Sequence, residues 1–101
     1  MRKQYKFSII IPAYNPGNKI LNCLKSIEKS INFFEKRNLI FYEILIINDG
    51  GKEINLKFKN KLKNLKQISL KKNRGVGYAR QYGVKISKYK KIFFIDSDLV
   101  I

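Results

Sequence analysis

The chain is predicted to be an α/β domain in which a parallel sheet of four strands carries helices on both faces, in the order β-α-β-α-β-α-β. Three observations point there. Short continuous runs of Ile, Leu, Phe and Val alternate with segments whose apolar residues recur every three or four positions, the second being the period of a helix. The runs are apolar at successive residues, so both faces of the sheet must be covered, as crossover helices between parallel strands arrange. A length of 101 residues gives room for one domain and one core.

Phe7 to Ile11 is a continuous run that Pro12 ends, and it is the first strand. Ile20, Leu24, Ile27 and Ile31 then recur at helical steps, which predicts an amphipathic helix over Ile20 to Phe34. Glu35 to Phe41 is the helix end and a connection of ordinary length. Tyr42 to Ile47, polar only at Glu43, is the second strand and runs into Asn48-Asp49-Gly50-Gly51. Ile54, Phe58, Leu62 and Leu65 form a weaker helical stripe and predict a helix over Glu53 to Leu62. Ile68 to Leu70 is a short third strand. Val76, Ala79, Gly83 and Ile86 predict a helix over Val76 to Ser87, and Ile92 to Ile95 a fourth, buried strand leading into Asp96-Ser97-Asp98.

Composition narrows the chemistry. Twenty-two Lys plus Arg against seven Asp plus Glu give a formal net charge of +15, yet 45% hydrophobic residues, with seven Phe and six Tyr, supply the apolar surface that disordered chains lack. Cys23 is the only cysteine, so no internal disulfide forms. The absence of histidine excludes an imidazole metal site, a Ser-His or Cys-His dyad and a His base. Carboxylates, amides, Tyr, Lys and Arg remain. No apolar run approaches the ~20 residues of a spanning helix, and after Met1-Arg2-Lys3 a signal-peptide reading is stopped by Pro12, Tyr14, Asn15 and Pro16. The expectation is a cytoplasmic protein, either free or peripheral at the cytoplasmic face of the membrane. Eighteen of the 22 basic residues are lysine, scattered over every predicted helix. That pattern fits a general lysine bias or attraction of a phosphate-bearing partner, and no sequence-specific nucleic-acid binding is expected.

In a parallel sheet the segments following the strands gather at one edge, where open α/β sheets bind ligands. This sequence places polar groups there four times: Pro12-Ala13-Tyr14-Asn15, Asn48-Asp49-Gly50-Gly51, Lys71-Lys72-Asn73-Arg74-Gly75 and Asp96-Ser97-Asp98. Asn15-Pro16-Gly17 and Asp49-Gly50-Gly51 also read as ordinary turns, and Asn73 as a helix cap. Asp96 and Asp98 leave one side of an extended segment together, and two carboxylates so close repel unless a cation sits between them. Mg2+ or Mn2+, which take oxygen ligands and complete their shell with water and phosphates, would suit the pair. A solvated strand end with one Asp capping the next element is the alternative.

The four motifs Phe7 to Asn15, Glu43 to Gly50, Asn73-x-Gly75-x-x-x-Ala79-Arg80 and Phe94 to Asp98 together resemble the N-terminal half of family 2 glycosyltransferases. The resemblance implies a Rossmann-like GT-A fold and a nucleotide-sugar donor, most often a UDP-sugar, bound at that strand edge. It puts Tyr14 beside the base, with Pro12, Ala13 and Asn15 shaping that wall. Asn48 and Asp49 fall in the turn that reads base and ribose, and Asn73 and Arg80 in the motif lining the diphosphate pocket. Asp96 would lie by ribose and metal, Ser97 between, and Asp98 on a Mn2+ or Mg2+ bridging the phosphates. Asn48 stands where many members have Asp, Gly51 where Ser is frequent and Gln81 where Asn is frequent.

The reading is therefore the donor-binding part, residues 1–101, of a metal-assisted and inverting glycosyltransferase, with the acceptor-binding half and the base outside it. The acceptor is a saccharide, lipid or protein. With no uncommitted acid at the site, the segment alone is expected to bind donor without transferring sugar. A non-catalytic nucleotide-binding or interaction module is the alternative. The incomplete sheet also offers an open edge through which copies could self-associate.

Overall fold

A computed structural model describes residues 2–100. Four strands form one sheet in the order β3-β2-β1-β4, and every neighbouring pair is parallel. β1 spans Lys3–Ala13 and β2 Asn38–Asn48, both starting earlier than predicted because Lys3 to Lys6 pair with Asn38 to Phe41. Pro12 is tolerated in this inner strand for a specific reason. Ser8 and Ile10 exchange hydrogen bonds with the β4 side, so the missing N–H of Pro12 faces that side too, beyond where β4 stops pairing.

The helix α1, Lys19–Glu35, follows its predicted stripe and buries Ile20, Cys23, Leu24, Ile27 and Ile31 against Phe7, Ile9, Ile11, Ile44 and Ile46. On the opposite face the helix α2, Val76–Ile86, packs Ala79 against Ile10, Leu45 and Ile47. Gly83 sets how close α2 lies, since a Cβ there would fall 2.6 Å from Cγ2 of Ile10. Helices on both faces of a parallel sheet are thus as predicted.

Two expectations need correction. Glu53 to Leu62 is not a helix but an irregular crossover into β3, Leu65–Ser69, which begins three residues before the predicted strand. Asn55 and Asn60 each accept, through Oδ1, the N–H two residues on, at 2.9 Å, the local competition that disfavours helix. Gln67 of β3 then holds the crossover from inside, its amide donating to the Ile54 carbonyl and accepting the Ile54 N–H, both at 2.9 Å. Lys61 N–H donates to the Glu28 carboxylate of α1. The predicted stripe still packs: Ile54 is buried, and Leu56, Phe58 and Leu62 lean on the α1 side of the core.

The second correction concerns β4, Ile92–Phe94, which is a three-residue edge strand and not a buried one. Phe93 and Phe94 are about half exposed, because nothing in the described residues covers the outer side of the sheet there.

Candidate functional site

The parallel strands deliver Ala13, Asn48, Ser69 and Phe94 to one edge. Between the turn after β1 and the turn after β4 lies an open crevice of about 550 Å³, lined by Pro12, Asn15, Pro16, Gly17, Lys19, Val76, Asp96, Ser97 and Asp98. Of the residues singled out in the sequence, the structure brings Pro12, Asn15, Asp96, Ser97 and Asp98 together here. The two carboxylates do not emerge from an extended segment as expected. The chain turns at Ser97 and Asp98, with Leu99 N–H donating to the Asp96 carbonyl at 3.0 Å, and both carboxylates nevertheless line the crevice.

The turn after β1 is held open by Asn15, which adopts a left-handed backbone (φ 45°) and accepts Lys52 N–H at 3.3 Å through its side chain. Gly51 belongs to the same contact, because a Cβ there would lie 2.5 Å from Oδ1 of Asn15. Tyr14 is exposed and Ala13 buried, and neither is among the residues that line the crevice.

Asn48 and Asp49 are buried, and their polar atoms serve the protein. Nδ2 of Asn48 donates to the Lys52 carbonyl and to Oε1 of Gln67, while its Oδ1 accepts Gly51 N–H at 3.0 Å. Its amide is therefore directed into the turn rather than outward. Asp49 accepts Arg74 N–H and Gly75 N–H, one on each carboxylate oxygen, both at 2.8 Å. These donors lie at the start of α2, where a negative charge is favoured by the helix dipole. Asp49 thus fixes the Lys71 to Gly75 loop, and exposed Asn73 rides on it.

Arg80 reaches from α2 to Asp96, Nη2 to Oδ1 at 3.4 Å. The pair is long and solvent-accessible, so it steers more than it stabilises. Nε of Arg80 is buried without a partner, and the guanidinium also lies over Phe94. Cys23 packs behind the turn, its thiol donating to the Asp96 carbonyl at 3.5 Å. Burial first, then the charges of Asp98 and Asp96, push this thiol from 9.0 up to about 11. Sequence reasoning did not find the contacts of Cys23, Gln67 and Gly51, because each depends on which strands are neighbours.

The thiol makes a pH prediction. Its folded value lies above its unfolded one, so the neutral thiol contributes stability that is complete below pH 9 and lost as pH rises toward about 11. In metal-free buffer, denaturation from pH 8 to 11 should show a decline that is shallower in Cys23→Ala. Equal slopes would refute it.

Asp96 and Asp98 supply hard oxygen donors, and among the described residues no third His, Cys, Asp or Glu joins them. Such a pair fits Mg2+ or Mn2+, which bind through one or two carboxylates and leave the remaining positions to water and phosphate oxygens. A second depression, about 400 Å³ between α1 and β4, is lined by apolar residues such as Phe7, Ile27, Phe34 and Phe93 and has no carboxylate.

A parallel sheet covered on both faces, with its polar crevice at the carboxyl ends of the strands, defines a Rossmann-like α/β domain. Residues 8–101 match the family described as Glycosyl transferase family 2, and the chain belongs to that family. It is 36% identical over 98 residues to a dolichyl-phosphate beta-glucosyltransferase of Dictyostelium discoideum, covering 90% of this chain and 30% of that protein. It is 38% identical over 99 residues to the poly(ribitol-phosphate) beta-N-acetylglucosaminyltransferase TarP of Staphylococcus aureus, covering 92% and 28%. The crystal structure of S. aureus TarS superposes with a TM-score of 0.68 at 29% identity, over 92% of this chain and 16% of that one. The chain spans less than a third of the length of each of these relatives.

Proposed function

We propose that this chain is the donor-binding part of a family 2 glycosyltransferase that takes a nucleotide-sugar, a UDP-sugar in our assignment, and inverts the anomeric centre. The observation carrying this reading is the convergence of Asp96, Ser97, Asp98 and Asn15 on one crevice at the strand ends. Asp98 and Asp96 would hold the divalent cation. When bound, it supplies charge neutralisation on the departing diphosphate. Arg80, paired only loosely with Asp96, is free to turn a donor toward the phosphates. Asp49 acts one layer back, by keeping the Asn73 loop in place against α2. The exposed ring of Tyr14 offers a face for the base.

The acceptor in our reading carries phosphate. Two relatives are named for dolichyl-phosphate and poly(ribitol-phosphate), and a net charge of +15 draws such a molecule toward the protein. The protein works in the cytoplasm, alone or against the inner face of the membrane.

Calorimetric titration with UDP, GDP and their sugars, with and without Mn2+, tests the donor and metal assignments together. Uridine ligands should bind more tightly than guanosine ones, and Mn2+ should raise the affinity. A preference for GDP would move the base assignment, and binding indifferent to Mn2+ would remove the metal from it.

A further inference from the structure

The turn that carries Asp96 and Asp98 hangs on β4, and β4 is only three residues long. Neither face of it is well covered, since Phe93 and Phe94 are 46% and 48% exposed. A strand normally owes its register to burying one face, because a slip of one residue sends every side chain to the other side. That constraint is weak here. Its ladder is also short, running only from the Ser8–Ile92 pair to the Ile10–Phe94 pair, with Ser8 N–H donating to the Lys91 carbonyl at 2.9 Å at one end and Ile95 N–H to the Ile10 carbonyl at 3.1 Å at the other.

A buried polar cluster sits at the entry to this strand. Glu43 of β2 is 5% exposed and stands in register beside Ser8 of β1. Its Oε2 accepts the Ser8 hydroxyl at 2.7 Å and Lys88 N–H at 2.5 Å, and Ser8 Oγ in turn accepts Tyr89 N–H at 3.2 Å. A carboxylate in the middle of a sheet is costly to bury unless its oxygens are bonded. Here Glu43 takes the Lys88 N–H of the α2–β4 connection directly, and the Tyr89 N–H is held through Ser8, four and three residues before Ile92.

We propose that Glu43 is a positioning residue: through Ser8, Lys88 and Tyr89 it sets the register of β4 on β1 and thereby where Asp96 and Asp98 stand in the crevice. A one-residue slip would send the β4 side chains to the other face of the sheet and carry the turn that bears both carboxylates about 3.3 Å along the strand direction. The consequence for donor binding rests on the function proposed above, whereas the register claim does not.

Cys23 provides a reporter that needs no ligand, because its buried thiol is covered by the Asp96 carbonyl. In the full 101-residue chain, Glu43→Ala should speed modification of Cys23 by iodoacetamide at least about tenfold, from loss of a charged acceptor. Exchange of the Ile95 amide should accelerate in parallel while amides of the β1–β2 ladder, such as Ile46, stay protected. Glu43→Gln keeps an acceptor oxygen in place and should stay within about threefold of the parent. Ser8→Ala, which removes the hydroxyl that donates to Glu43 and accepts Tyr89 N–H but leaves the Lys88 bond, should fall between them. Where UDP binding responds to Mn2+, that response should shrink in the same order. Unchanged Cys23 and Ile95 rates in folded variants overturn the proposal, and so does exchange of Ile46 rising in step with Ile95, which would mark general destabilisation. If the parent protein itself shows no Mn2+ response, the metal assignment fails and the register claim is still decided by Cys23 and Ile95.

Discussion

Replacing Gly50 with Ala is expected to lower the melting temperature by about 15 °C or more, from a cost of roughly 3–5 kcal/mol in a domain of this size. Gly50 has φ 83°, and a Cβ built on it would lie 2.3 Å from both the Asn73 nitrogen and the Lys72 carbonyl carbon. Those are backbone atoms, so no rotamer change relieves the clash and the loop itself must move. Moving it breaks the two bonds that Asp49 makes to Arg74 and Gly75 and disturbs the start of α2. Gly17 is the control. Its φ is also positive, at 62°, but nothing lies within 4 Å of the place a Cβ would occupy, so Gly17→Ala should cost only the left-handed penalty of about 1–2 kcal/mol. Equal melting temperatures for the two variants would contradict the loop packing described for Asp49 and Gly50.

Asp98→Ala should leave the melting temperature within the small range of surface substitutions, because its side chain is exposed. Its effect is expected on binding. The ratio of UDP affinities with and without Mn2+ should fall to about one, since a single remaining carboxylate holds a hard cation poorly against water. Removal of this charge also takes away part of what raises the Cys23 thiol, so that group should titrate lower in the variant. A variant that keeps the parent's Mn2+ response would place the cation elsewhere.

The sheet was legible because its two inner strands are apolar at nearly every residue, which marks burial on both sides. α1 and α2 were legible because their three- and four-residue spacings are bounded by turn residues. The missing helix has a lesson of its own. From Lys57 to Lys63 lysine occupies every second position, alternating with Phe58, Asn60 and Leu62, and the structure exposes the lysines while partly burying the residues between. That period of two was in the sequence beside the four-residue stripe and was the correct signal. The exposure of β4 was not legible, because an edge strand and an inner strand share one composition.

For the site, the clustering of Asn15, Asp96, Ser97 and Asp98 follows from parallel strands alone. The inward direction of Asn48 does not, since it depends on Gln67 from a strand that pairs alongside. Asp49 likewise looked like a turn residue, and only the fold reveals that its partners are 25 and 26 residues away.

Backbone amide shifts during titration of the 101-residue chain with UDP in Mg2+ test the central claim most directly. The account predicts saturable changes at Tyr14, Asn15, Arg80 and Asp96 to Asp98, with the apolar depression around Phe34 and Phe93 left quiet. Changes centred on that depression, or none at the crevice at saturating nucleotide, would contradict it.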